Sequence, residues 1–343
     1  MSEANAIPIT ILTGFLGSGK TTLLNALLRN PDLSDTAVIV NEFGEVGIDH
    51  LLVTPVTDEV VLLESGCICC SVKGELSDAL RTLAFKRVKG EIPEFRRVVI
   101  ETTGLADPAP IIHTLAVDPV VGAHYRLDGV VATLDAICGA TTLKRQWEAA
   151  KQVAVADRIV LTKTDMTDRE SAAAARTALR DLNPNAPIIT AINGDVDPAL
   201  ILETGLFKRG HVVDADRWLA VGDHDHQCGP HCGHDHGHDR HRSHEHDVST
   251  FVITRDHPVS WQALAFALSM LASNRGEALL RVKGIVHARE HDQPFAIHGV
   301  QHIFHPPAPL PAQSLKDRTT RLVFITKGLG RETVEEILAG FLD

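Results

Sequence analysis

Lys20 and Thr21 close the octapeptide GFLGSGKT, which together with Gly14 and Gly19 meets the spacing G-x-x-x-x-G-K-[ST]. Glycines at those positions let backbone N–H groups approach phosphate oxygens. A helix starting at the lysine favours their charge, the ammonium neutralises it, and the threonine hydroxyl can bind Mg²⁺. Gly17, Ser18 and Thr22 fall in the same phosphate cradle. The apolar IPITILT before the octapeptide and the leucine-patterned TTLLNALLRN after it supply the strand-then-helix setting that separates a nucleotide site from an ordinary glycine-rich turn. Two later strand ends add to it. VVIETTG brings Glu101, an acid suited to the Mg²⁺ side, and Gly104, whose backbone can sense a γ-phosphate. Lys20, Glu101 and Gly104 are therefore the expected catalytic group. IVLTKTD ends with Thr162, Lys163 and Asp165 in the N/T-K-x-D pattern. An aspartate there can accept both the N1 and N2 protons of guanine, so GTP is the expected nucleotide; the alternative for Asp165 is a surface turn.

A different chemistry sits in ESGCICC. Cys67, Cys69 and Cys70 are three of the six cysteines in 343 residues, and they follow the strand-like EVVLLE and precede a helix near Lys73. Neighbouring N–H groups and a lysine lower thiol pKa values, and thiolates at such spacing suit Zn²⁺, with Cu(I) and Co²⁺ as alternatives. C-x-C-C lacks a fourth ligand. Either the position stays open or an acid such as Glu42 or Glu45 fills it, and an incomplete site is what metal delivery requires. A buried core cysteine or a redox pair is the competing reading.

The elements that must position these groups are legible in outline. Apolar runs at 7–13, 36–41, 59–64, 96–102, 128–136, 157–165 and 186–190 alternate with helical patterns at 21–30, 74–88 and 171–182. Continuous apolar strands between helices predict an α/β P-loop NTPase domain with a mostly parallel sheet covered on both faces. Residues 223–247 break the pattern, with nine of the 19 histidines and no aliphatic side chain, and are expected to be a flexible linker. Beyond it, strands at 249–256, 278–288, 293–305 and 320–328 and helices at 260–272 and 331–342 predict a small α+β domain with helices on one face of an antiparallel sheet. The expected division is 1–222, 223–247 and 248–343.

Composition narrows the partners. With 44% hydrophobic and 22% charged residues the chain reads as a globular protein, and no apolar run approaches the ~20 residues of a membrane span. A net charge of −11 with no basic concentration argues against nucleic acid. MSEANAIPIT lacks the features of a secretory signal, so a cytoplasmic location is expected, where thiols stay reduced. Outside the motifs, Cys138 is expected to be a small buried hydrophobe. His298, His302 and His305 are expected to be satisfied sheet residues rather than a relay. The linker, with Cys228 and Cys232, is expected to buffer metal rather than position it. No arginine finger or catalytic glutamine is evident, so slow intrinsic hydrolysis is expected.

GFLGSGKT, NEFGEVGID, ESGCICC, ETTGLADP and LTKTD, in this order, resemble the CobW-type GTPases of the G3E group, relatives of nickel-insertion GTPases. The C-terminal LLRVKGIV and HGVQHIF resemble that family's C-terminal domain. The resemblance implies a GTP-hydrolysing metallochaperone that carries Zn²⁺ or Co²⁺ on the C-x-C-C motif to a client metalloprotein. It also implies a first switch at 41–49 with Asp49 near Mg²⁺, and a second switch from Glu101 to Gly104. The short segment between NEFGEVGID and ESGCICC favours the broader zinc-linked branch over a cobalamin role. A storage or sensing protein built on the His-rich tract, and a P-loop metabolite kinase with structural cysteines, are the rival readings. A nucleotide- or metal-dependent homo-oligomer stays open.

Overall fold

The computed structural model describes residues 6–41, 62–65, 72–202, 247–311 and 318–342. Its first unit runs β1 (Ile7–Gly14), α1 (Lys20–Leu28), β2 (Thr36–Asn41), β3 (Leu62–Ser65), α2 (Val72–Lys89) and β4 (Arg97–Glu101). It continues with α3 (Ala109–Val117), α4 (Pro119–His124), β5 (Tyr125–Asp135), α5 (Gly139–Arg145), α6 (Trp147–Val155), β6 (Arg158–Thr162), α7 (Arg169–Leu182), β7 (Ile188–Ala191) and α8 (Pro198–Ile201). The seven strands form one sheet, ordered β3-β2-β4-β1-β5-β6-β7, in which every pairing is parallel. Alternation along β1 shows why both faces are apolar. Ile9 and Ile11 pack with Ile100, Leu76 and Leu80 on the α2 side. Leu12 packs with Leu23, Leu24, Val99 and Val131 on the α1 side. The connection from β1 runs to β2 on one side and that from β4 crosses β1 to β5 on the other, which opens a crevice at the carboxyl ends of the strands.

The second unit comprises β8 (Val248–Arg255), α9 (Trp261–Arg275), β9 (Leu279–Val286), β10 (Phe295–Val300), β11 (Ile303–Phe304), β12 (Ala308–Pro309), β13 (Thr320–Lys327) and α10 (Arg331–Leu342). Its antiparallel sheet is ordered β11-β10-β9-β13-β8, with β12 on β10. The run expected as one strand over 293–305 is two, because Gln301 adopts φ +54° and turns Val300 back onto Ile303. As expected, α9 and α10 share one face, where Leu264, Leu271, Val334 and Leu338 cover Leu279, Leu322 and Phe324. The other face is not free. Val248, Leu280 and Ile325 pack with Val153, Ala154, Ala175 and Leu179 of α6 and α7, so the two units share a core. All eight residues of β9 are consequently buried.

That shared face also holds charge. Arg281 and Lys283 of β9 both engage Asp157, which stands just before β6; the Lys283 ammonium is 2.9 Å from its carboxylate. Burial alone would raise the Asp157 carboxyl, but the two cations outweigh it and hold the group well below the usual carboxylate range. Behind them the rings of His298 and His305 lie 4.1 Å apart. Of the three expected sheet histidines, His302 is hydrogen-bonded, its Nδ1 2.9 Å from the Ala272 carbonyl, but it stands in the turn between β10 and β11 and not in a strand. His305, which directly follows β11, is not satisfied: its Nε2 is buried with no hydrogen-bond partner among the described residues.

Burial, reinforced by Arg281 and opposed by Asp157, pushes His305 down to about 4, and burial beside His305 lowers His298 well below its ordinary value. Unfolded, both rings take up protons from about pH 6.5 downward. The folded chain resists this until about pH 4 at His305, so stability falls as pH drops between the two, by roughly 3 kcal/mol from His305 alone. Thermal unfolding should show a Tm that declines steeply over that window, with a flatter profile for His298→Phe/His305→Leu. An unchanged slope in that variant would assign the acid lability elsewhere.

Candidate functional site

The octapeptide lies at the carboxyl end of the central strand. Gly14 at φ +140° passes so close to β5 that a Cβ there would sit 2.5 Å from the Thr133 carbonyl oxygen. Gly17 and Gly19 also take positive φ, 71° and 92°, and Gly19 caps α1 without a side chain. The loop therefore curls over its own N–H groups as the glycine spacing requires. Lys20, buried to 8% exposure, reaches back across it and donates to the carbonyls of Gly14 at 2.9 Å and Phe15 at 3.2 Å. The Ser18 hydroxyl contacts Thr133 Oγ1 at 2.6 Å, and Thr22 is solvent exposed.

Glu101 ends β4, beside β1, and the Thr21 hydroxyl donates to its Oε1 at 2.8 Å. Two hard oxygen donors at that separation, beside a buried ammonium, are a donor set suited to Mg²⁺. Three residues on, Gly104 touches the loop from above: a Cβ there would lie 2.6 Å from the Leu16 amide nitrogen. Only a glycine permits this approach. Gly104→Ala should therefore push the Gly104 turn off the glycine-rich loop and slow GTP hydrolysis by tenfold or more. GDP affinity should stay within threefold of the parent, which nucleotide titration and a turnover assay together would check.

The T-K-x-D segment has a role that its sequence did not reveal. Thr162, at the end of β6, donates to the Ser18 carbonyl at 2.8 Å and tethers the loop. Lys163 takes φ +56° and lays its ammonium on the Gly17 carbonyl at 2.6 Å. Asp165 is solvent exposed beyond them. The loop is thus held from β5, β6 and β4 at once.

Asp49, Glu42, Glu45, Cys67, Cys69 and Cys70 lie outside the described residues, as does the tract with Cys228 and Cys232. The elements that lead to two of these segments are described. Asn41 pairs with Ser65 at the ends of β2 and β3, and Val40 pairs with both Glu64 and Glu101. The chain therefore enters the expected first switch and the cysteine turn from adjacent strand ends, beside Glu101. Among the described residues no three His, Cys, Asp or Glu side chains are grouped to hold a metal. Cys138 is exposed, correcting the expectation of burial: it occupies the N-cap of α5, where its N–H donates to Asp135 Oδ1 at 2.7 Å.

Sequence reasoning missed Gln152. It is 1% exposed on α6, and its Nε2 donates to the carbonyls of Gly104 at 3.1 Å and Ala106 at 3.0 Å. Two carbonyl partners fix the amide orientation, since an oxygen there would face acceptors. The preceding residue, Lys151, pairs with Asp107 at 2.5 Å.

Comparison with known proteins follows the same division. Residues 8–190 match the CobW/HypB/UreG nucleotide-binding domain, and residues 248–342 match the cobalamin synthesis protein CobW C-terminal domain. The chain is 35% identical over 338 residues to the zinc chaperone YjiA of Escherichia coli, covering 98% of this chain and 99% of that one. It is 36% identical over 203 residues to zinc-regulated GTPase metalloprotein activator 1 of Schizosaccharomyces pombe, covering 57% of this chain and 48% of the relative. The crystal structure of Zn(II)-bound YjiA GTPase from E. coli superposes with a TM-score of 0.70 at 30% identity, covering 99% of this chain and all of the other.

Proposed function

The chain belongs to the CobW/HypB/UreG family of nucleotide-binding proteins and is a GTPase metallochaperone, and on that premise we propose that it carries Zn²⁺ on Cys67, Cys69 and Cys70 and releases it to a client metalloprotein when GTP is hydrolysed. Glu45 would complete the metal site, with Co²⁺ as a weaker claimant. GTP is held by the backbone of Gly14, Gly17, Ser18 and Gly19, by Lys20, and by Thr21 and Thr22, with Lys163 and Asp165 reading the guanine. Thr21, Asp49 and Glu101 would hold Mg²⁺, which would supply charge neutralisation at the phosphates. Lys20 leaves its carbonyl partners for the phosphates, and Gly104 meets the γ-phosphate through its N–H. Released from that contact after hydrolysis, the second switch loosens.

The observation that carries this reading is the pairing of Asn41 with Ser65 beside Glu101. A first switch leaving β2 and a cysteine turn leaving β3 share a strand edge with the acid of the second switch, so ordering one segment alters the support of the other. The boundaries 1–222, 223–247 and 248–343, and a cytoplasmic setting that keeps the thiols reduced, belong to the same proposal. Among the described residues no helix is long and apolar enough to cross a membrane.

Zinc titration against a chromophoric chelator, on the chain lacking residues 223–247, tests it. One tight site should appear, tighten about tenfold when GDP is exchanged for a non-hydrolysable GTP analogue with Mg²⁺, and vanish in Cys67→Ser/Cys69→Ser/Cys70→Ser. A tenfold change corresponds to about 1.4 kcal/mol of coupling. Loss of zinc binding with the deleted tract, while the cysteine variant keeps it, would support storage instead.

A further inference from the structure

The contacts of α6 place it between the second switch and the C-terminal sheet. On one side Gln152 holds the carbonyls of Gly104 and Ala106, and Lys151 holds Asp107. At the end of the helix Arg281 of β9 donates to the Val155 carbonyl and engages Asp157, which Lys283 also engages. At its start the Lys327 ammonium of β13 lies 3.7 Å from the centre of the Trp147 ring. At the helix end Asn183 Nδ2 donates to the carbonyls of Val153 at 2.8 Å, Ala154 at 3.3 Å and Ala156 at 3.0 Å. With its terminal groups pinned and Ala149, Ala150, Val153 and Ala154 fully packed, the helix moves as a unit or not at all.

The switch end is less settled. Gln152 Oε1 and Thr103 Oγ1 are both buried with no hydrogen-bond partner among the described residues. Buried acceptors and hydroxyls left this way are costly. An arrangement of the Thr103–Gly104 turn that satisfies either group would recover part of that cost.

We propose that Gln152 is a positioning residue for GTP hydrolysis, setting the Gly104 peptide against the P-loop, and that α6 transmits the position of the C-terminal sheet to it through Arg281 and Lys283. The proposal rests on the reading of Gly104 as the γ-phosphate contact. It assigns the C-terminal unit a regulatory role: whatever docks there and shifts β9 sets the turnover rate at the nucleotide. Coupling of this kind is demonstrated by non-additivity, not by proximity.

The experiment uses the full chain and three variants: Gln152→Leu, Lys283→Met and the double variant. Lys283→Met leaves Asp157 its Arg281 partner, so the buried carboxylate stays neutralised. GDP affinity comes from a fluorescent nucleotide, and kcat and KM from GTP turnover. Gln152→Leu should lower kcat at least tenfold, with KM and GDP affinity within threefold of the parent. Lys283→Met should change kcat at least threefold although it touches no nucleotide-binding group, and that change should disappear in the Gln152→Leu background. A kcat within twofold of the parent in Gln152→Leu, a parallel loss of GDP binding in that variant, or multiplicative effects in the double variant would each overturn the proposal. A parent chain that fails to bind GDP or hydrolyse GTP would instead strike down the nucleotide-site reading beneath it.

Discussion

Lys20→Met should lower the rate of GTP hydrolysis by about 10²–10³-fold, the range seen when one preorganised charge-stabilising donor is removed from a reaction centre. Methionine keeps the buried stem and removes only the ammonium that here bridges the Gly14 and Phe15 carbonyls. Because the charge matters most where it builds up on the transferred phosphoryl group, kcat should fall further than GDP affinity. Stability should fall by about 1–3 kcal/mol, because the buried Gly14 carbonyl loses its donor. A fall of less than tenfold would mean that the loop binds phosphate without promoting its transfer.

The second large effect concerns the junction between the two units. Asp157→Ala would remove the carboxylate that Arg281 and Lys283, each about 5% exposed, both engage. It would also remove the acceptor that takes the Val130 N–H at 3.0 Å. Breaking a buried ionic cluster from one side costs about 3–5 kcal/mol. For a chain of this size that is a drop of roughly 4–7 °C in Tm. The same principle separates pairing from packing. Replacing Asp157, Arg281 and Lys283 together with apolar residues of similar volume should restore most of the lost Tm, because no uncompensated charge then remains. Differential scanning calorimetry on the single and triple variants checks both statements; equal losses would mean that shape, not charge, holds the junction.

How much of this was readable beforehand follows from what kind of interaction each feature is. The octapeptide, Glu101 with Gly104, and Thr162 to Asp165 each sit at the end of a continuous apolar strand, and the structure brings all three to the carboxyl ends of the parallel strands. Local pattern sufficed there because strand, turn and helix signals adjoin in the sequence. The helices α3 to α6 were not individually legible. APIIHTLAV has no polar stripe, and α4 and α5 are six and seven residues long, too short for a period to emerge. Missing α6 meant missing Gln152, whose partners lie 46 and 48 residues away. Arg281 and Lys283 look like the solvated face of an alternating strand, yet the sheet is covered on both sides and they meet a carboxylate more than 120 residues distant. Cys138 misled for the opposite reason: its apolar neighbours Ile137 and Ala136 suggested a strand still running, when β5 had ended at Asp135.

The central claim is that nucleotide and metal share one conformational equilibrium, and it requires reciprocity. If a GTP analogue tightens zinc binding about tenfold, zinc must tighten binding of the analogue by the same factor. The most direct measurement is therefore the affinity of the full chain for a non-hydrolysable GTP analogue with Mg²⁺, with and without one equivalent of zinc, alongside GDP as control. The account predicts about a tenfold gain for the analogue, little for GDP, and none in Cys67→Ser/Cys69→Ser/Cys70→Ser. An analogue affinity indifferent to zinc would contradict it and leave a GTPase and a metal site that merely share a chain.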